Sequence, residues 1–226
     1  MSQPHAAEER LRQRMLSVAQ AMVAAGLNKG TSGNVGCRCG DYFLVTPSGR
    51  PVDEMQAAEM VALDFDGSPR TPGKPSSEWH FHRDILASRR EINAVVHCHS
   101  PFATTLACLH REIPPFHYMI AMAGGDTIRC APYALFGTEE LSRHALAALT
   151  GRKACLLANH GMIALGRDLD DAFALAVEVE TLCEQYWRAL QVGEPHLLSA
   201  QQMREVLEKF KDYGRQAGDL SHNKIA

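Results

Sequence analysis

The chain has 226 residues, 46% of them hydrophobic and 22% charged, a balance that supports a packed core and excludes long disordered tracts. Its 23 basic and 26 acidic side chains give a formal charge of −3, so no basic field is present to hold nucleic acid by counterion release, and no apolar run reaches the roughly 20 residues that cross a bilayer. Seven cysteines (37, 39, 98, 108, 130, 155 and 183) are odd in number and scattered, the pattern of reduced, packed thiols in a cytoplasmic protein, and residues 1–15 lack the apolar stretch of a signal peptide.

The length suits one domain over 1–226. In chain order, Leu11, Met15, Val18 and Met22 recur at helical steps and predict a helix over 6–26, stopped by Gly26. The polar turn 30–34 follows. Strands over 35–39 and 42–46 flank Gly40-Asp41, a two-residue hairpin signal. Thr46-Pro47-Ser48-Gly49 is a tight turn, and 60–65 a third strand. Ser76 and Ser77 are placed as caps of a helix over 79–88, with Glu78 as its first-turn acid.

Residues 94–99 form a short buried strand, and Pro101 opens a helix to about 109. Residues 116–123 are ambiguous between helix and strand. A helix covers 138–149, with Glu139 and Glu140 in its first turn. A buried strand over 154–158 ends at Asn159-His160-Gly161, and 162–165 continues after it. Asp168 caps a long helix to about 190, with Phe173, Ala176, Val177, Cys183, Trp187 and Leu190 as its inner stripe. A last amphipathic helix covers 200–210, and the polar tail over 214–226 is expected to be mobile. Several connections are too short for repeated crossovers. The predicted fold is therefore a three-layer α/β/α arrangement: a mixed, mainly antiparallel sheet with helices on both faces.

Two His-x-His pairs occur. On a helix, His80 and His82 point to nearly opposite sides and cannot share an ion. On a strand, His97 and His99 share a face and can. A catalytic site usually takes three protein ligands, and His160, at a strand end beside Gly161, is the best third. The competing reading is three histidines satisfied by ordinary hydrogen bonds. Cys98 points to the opposite face, and Cys37 and Cys39 have no second pair to complete a tetrahedron.

Three turns carry small polar residues with backbone amides free for an anion: Thr31–Asn34 including Gly33, Ser48-Gly49 and Ser76-Ser77. The last lies at a helix N-terminus, where the dipole favours negative charge. Each alone is an ordinary turn; three of them before a metal motif suggest a phosphate site. Glu78, between the two, is placed either to complement the dipole or to move protons.

These motifs, in this order and spacing, resemble the class II aldolase family, a zinc-dependent aldolase and epimerase superfamily. His117-Tyr118-Met119-Ile120, Gly124-Gly125 and the stretch from Tyr133 to Thr138 are similar to its L-fuculose-1-phosphate aldolase branch. The resemblance covers about residues 8–212. Gly36-Cys37 departs from it, standing where many members have Ser-Val, and so does the chain beyond Tyr213.

The resemblance implies a fourfold homotetramer with active sites at subunit interfaces. Zinc would be held by His97, His99 and His160; manganese, cobalt or iron also suit imidazole ligands. Glu78 would be the fourth ligand at rest and the acid/base with substrate bound. Thr31, Gly33, Asn34, Ser48, Gly49, Ser76 and Ser77 would hold the phosphate of a small phosphorylated sugar, and Tyr118 would reach the aldehyde end from a neighbouring subunit.

The implied reaction is reversible cleavage of an L-fuculose 1-phosphate-like ketose 1-phosphate to dihydroxyacetone phosphate and an aldehyde such as lactaldehyde. A 5-deoxyribulose or 5-methylthioribulose 1-phosphate is the alternative substrate. An epimerase or dehydratase fits less well. An adducin-like interaction module would lack the metal ligands that this chain retains.

Overall fold

The structure, a computed structural model, describes residues 3–211, with side chains from residue 6. The tail over 214–226 lies outside them. Among the described residues are six α-helices and seven strands: α1 (Gln3–Ala24), β1 (Asn34–Cys39), β2 (Tyr42–Val45), β3 (Val61–Asp64), α2 (Trp79–Ser88), β4 (Ala94–Cys98), α3 (Pro101–Cys108), β5 (Arg129–Ala131), α4 (Glu139–Ala148), β6 (Ala154–Leu157), β7 (Gly161–Gly166), α5 (Leu169–Val192) and α6 (Ala200–Phe210). The strands make one sheet in the order β3-β2-β1-β4-β7-β6-β5. Every pairing is antiparallel except β5 with β6. No helix among the described residues is long and apolar enough to cross a membrane.

β4 explains the arrangement. All five of its residues are buried, which marks a strand covered on both faces, and it lies at the centre between β1 and β7. Alternation splits its side chains. Ala94, Val96 and Cys98 enter the core shared with α1, α3 and α5, while Val95 enters the core shared with α2 and α4. His97 follows Val95 onto the second face, where Phe81 of α2 meets it edge-on. The three-layer expectation holds, and Cys98 does point away from the histidines.

Some elements differ from the sequence reading. α5 buries Leu169, Ala172, Ala176, Val179, Cys183 and Tyr186 at steps of 3 and 4, whereas Val177 is exposed and Phe173, Trp187 and Leu190 are only half-buried. The predicted stripe was rotated by about one residue, because α5 lies along β7 and β4 and the long stripe follows that seam. Residues 118–123 form a 3-10 turn that ends at Gly124, whose φ of 87° is left-handed. Strand β5 was not foreseen; three residues carry too short a pattern. The serines before α2 do not cap it. Glu78 is itself the N-cap residue, no side chain caps this end, and Ser76 Oγ instead accepts from the Glu78 amide at 3.3 Å.

Helix α3 takes its cap from elsewhere. Its N-cap, Ser100, makes no side-chain cap bond; Glu180 of α5 accepts from Ser100 Oγ (2.6 Å), Phe102 N (2.8 Å) and Ala103 N (2.9 Å). One carboxylate thus satisfies the orphan donors of α3 and pins the chain one residue beyond His99. Glu180→Ala leaves these donors unpaired and is expected to cost about 3 kcal/mol. Urea unfolding reads this, and a loss below about 1 kcal/mol would show the clamp to be dispensable.

Candidate metal centre

His97 stands on the last turn of the sheet's central strand, wholly buried. Its Nδ1 lies 2.9 Å from the Met162 carbonyl, which can only accept, so Nδ1 carries the proton and Nε2 presents a lone pair. His99, just past the strand, has its amide held by Asn28 Oδ1 at 3.2 Å. His160 enters from the β6–β7 connection. The preceding Asn159 has a φ of +55°, a left-handed conformation that asparagine tolerates, and this turns His160 back towards β4. Gly161 lets the two strand ends meet, because a Cβ there would lie 2.3 Å from the Cys98 carbonyl oxygen.

The three rings form a nearly threefold cluster. Their centroids are 4.8–4.9 Å apart and their planes cross at 74–76°. His97 Nε2 and His99 Nε2 are 3.0 Å apart. Glu78 closes the fourth side, with Oε2 3.1 Å from His97 Nε2 and Oε1 3.2 Å from His160 Nε2. All four donor atoms lie within 4.8 Å of one another.

Glu78 is 6% exposed and its Oε1 makes no hydrogen bond. Burial alone would raise its pKa, but the facing His97 and His160 hold the carboxyl well below the ordinary carboxylate range. Burial, with His97 and His160 beside it, pushes His99 down to about 4, so its ring is neutral at neutral pH. Imidazole nitrogens that converge beside an orphaned carboxylate oxygen suit a divalent cation. The group can hold such an ion.

The cluster forms one wall of a cavity of about 320 Å³. All seven residues of the expected phosphate cradle line it: Thr31, Gly33, Asn34, Ser48, Gly49, Ser76 and Ser77. Distant turns meet there because Pro47 and Pro75 pair across an antiparallel bridge. The amides are less free than expected. Ser48 N donates to Lys74 O and Ser76 N to Thr46 O, both at 2.9 Å, in making that bridge. The amides of Gly49 and Ser77 make no hydrogen bond among the described residues. Among the described residues, no lysine or arginine lines the cavity.

The sequence reading left out residues that the fold brings in. Asn159, Tyr133, Ala134 and Phe136 line the same cavity. Asparagine before His-Gly was a usable sign of a left-handed turn; the loop over 133–136 carried none. That loop reaches the cradle because Gly137 packs where a Cβ would lie 2.7 Å from the Ser77 carbonyl. Tyr118, by contrast, is not in the cavity of its own chain. It is 51% exposed and packs beside Phe210 of α6.

Comparison with known proteins shows the family. The family model described as class II aldolase and adducin N-terminal domain matches residues 13–187. A 5-methylthioribulose-1-phosphate/5-deoxyribulose-1-phosphate aldolase of Rhodospirillum rubrum is 59% identical over 207 residues, covering 92% of this chain and 94% of the relative. An L-fuculose phosphate aldolase of Escherichia coli K12 is 45% identical over 206 residues, covering 91% and 96%. A solved L-fuculose 1-phosphate aldolase superposes with a TM-score of 0.86 at 38% identity, covering 89% of this chain and 96% of that one. The chain belongs to the class II aldolase family.

Proposed function

We propose that this chain reversibly cleaves a ketose 1-phosphate to dihydroxyacetone phosphate and an aldehyde, with zinc held by His97, His99, His160 and, at rest, Glu78. The observation that carries the reading is one cavity with a metal-binding cluster at one end and the hydroxyls of Thr31, Ser48 and Ser77 at the other. A bound divalent cation would supply Lewis acidity to the ketose oxygens. The chain's own groups do the rest. The cradle orients the phosphate with hydroxyls and the free amides of Gly49 and Ser77. In cleavage the C3–C4 bond pair stays on C3, and the C4 hydroxyl releases its proton as it becomes the aldehyde. C3 takes one proton from Glu78 in its carboxylic acid form, which the released proton replenishes, so none is gained or lost overall. Synthesis runs these transfers backwards.

Tyr118 is assigned to the C4 oxygen of a neighbouring copy, which makes the working unit an oligomer, proposed as a homotetramer. Its exposure and its distance from its own cavity support that assignment.

The preferred substrate is a 5-deoxy- or 5-methylthioribulose 1-phosphate. Two observations support this over L-fuculose 1-phosphate: the 59% identical relative, and the largely apolar stretch of Tyr133, Ala134 and Phe136 in the cavity wall. The solved fuculose-phosphate relative keeps the fuculose reading as the second.

Glu78→Gln keeps the cradle and removes the proton carrier, so turnover is expected to fall roughly 10²–10⁴-fold with KM within a few-fold. Near-normal turnover would refute the role. His97→Ala is expected to lose metal binding and activity together, and a chelator to abolish wild-type activity that a divalent ion restores; activity that survives full metal removal would sink the mechanism. In a panel read by dihydroxyacetone phosphate release, kcat/KM for the 5-methylthio and 5-deoxy substrates should exceed that for L-fuculose 1-phosphate by about tenfold or more. The reverse order would reinstate the fuculose reading.

A further inference from the structure

The other His-x-His pair, His80 and His82, stands outside the group of possible metal ligands, yet one member is not idle. His82, on the inner face of α2, is 0% exposed. Its Nε2 lies 2.5 Å from Asn34 Oδ1, and Asn34 Nδ2 lies 3.0 Å from Glu78 Oε2. The proton positions follow from chemistry. An ionised carboxylate only accepts, so the Asn34 NH₂ must face Glu78. Its carbonyl oxygen then faces His82, and His82 Nε2 must be the donor.

The backbone is arranged to permit this line of three. Asn34 pairs directly with His97 across β1 and β4, which sets its side chain beside the metal cluster. Gly36, two residues along on the same face of β1, has no side chain, and a Cβ there would lie 2.4 Å from His82 Nδ1. The imidazole therefore fills the space that a residue at 36 would use. This gives a role to the Gly36 departure noted in the sequence. The cost is an unpartnered Nδ1 in a fully buried ring. A ring held only for packing would carry no such penalty, since a leucine would fill the same volume.

We propose that His82 is a positioning residue for Glu78, acting through the Asn34 amide. His82 fixes which way the amide points. The amide then holds Glu78 Oε2 and leaves Oε1 free to turn. On this account Asn34 spends one N–H on Glu78 and has one left for the cavity, so its main task is to orient the proton carrier rather than to bind phosphate. The inference rests on the reading of Glu78 given above.

The test combines His82→Leu, His82→Gln, Asn34→Ala and the double variant His82→Leu/Asn34→Ala in the full chain. Two quantities are read: kcat and KM for dihydroxyacetone phosphate release, and Co²⁺ affinity of chelator-stripped protein, followed by visible absorption. His82→Leu is expected to lower kcat about three- to tenfold with little change in KM, and to weaken Co²⁺ binding by a similar factor. His82→Gln, whose amide nitrogen can reach Asn34, is expected to recover most of both. In the Asn34→Ala background, His82→Leu is expected to add nothing.

Additive effects, or a glutamine variant no better than leucine, would overturn the proposal. If His82→Leu does not fold, His82→Gln is compared with His82→Asn, whose amide falls short of Asn34; equal behaviour of that pair would likewise overturn it. If the wild-type chain released no dihydroxyacetone phosphate, the reaction assigned above would fail, while the Co²⁺ measurements would still decide the coupling of His82 to Asn34.

Discussion

Three imidazole nitrogens face one another around a buried carboxylate, and that crowding is the constraint on which the rest depends. His97 Nε2 and His99 Nε2 lie 3.0 Å apart, close enough to share a proton or a cation. The arrangement persists because every ring is fixed from behind. His97 is tied to the Met162 carbonyl, the His99 backbone to Asn28, and His160 by the turn at Asn159 and the bare Cα of Gly161. The fold thus holds four donor atoms at a separation that a divalent cation could bridge.

The sheet supplies the rigidity. β4 is the central strand, its registers with β1 and β7 place Asn34 and Ile163 beside His97, and both faces are covered by helices. Glu78 arrives from another direction, as the N-cap residue of α2, with its amide donating to Ser76 Oγ. Among the described residues, the rest of the cavity wall is made of uncharged hydroxyls and amides together with Tyr133 and Phe136. Neutral donors suit a ligand that must be released after each turnover, because they orient an anion without the Coulomb attraction of a buried cationic side chain.

Much of this was legible in the sequence for a definite reason. The period of two along residues 94–99 put His97 and His99 on one face, and the same rule separated His80 from His82. The hairpin at Gly40-Asp41, the Pro101 helix start, the acidic first turn of the helix from 138, the cap at Asp168 and the last helix over 200–210 were all local signals, and the structure carries each of them. The one misplaced stripe and the segments left open share a cause as well. The stripe on α5, the 3-10 turn over 118–123 and the three-residue β5 depend on which neighbour each segment packs against. The Ser48 and Ser76 amides looked free because their partners, Lys74 and Thr46, are about 30 residues away along the chain.

The sequence by itself determined the chemistry present: the ligand types, the spacing that lets two of them share a face, and the family to which the motifs point. Tertiary structure alone decided which of those groups meet. It brought His160 to the strand pair, closed the fourth side with Glu78, drew the loop over 133–136 onto the cradle and inserted His82 behind Asn34. The physical reason is range. Periodicity and capping act over a few residues and are written locally, whereas a site assembled from β1, α2, β4 and the β6–β7 connection exists only once sheet register and close packing have fixed their separations.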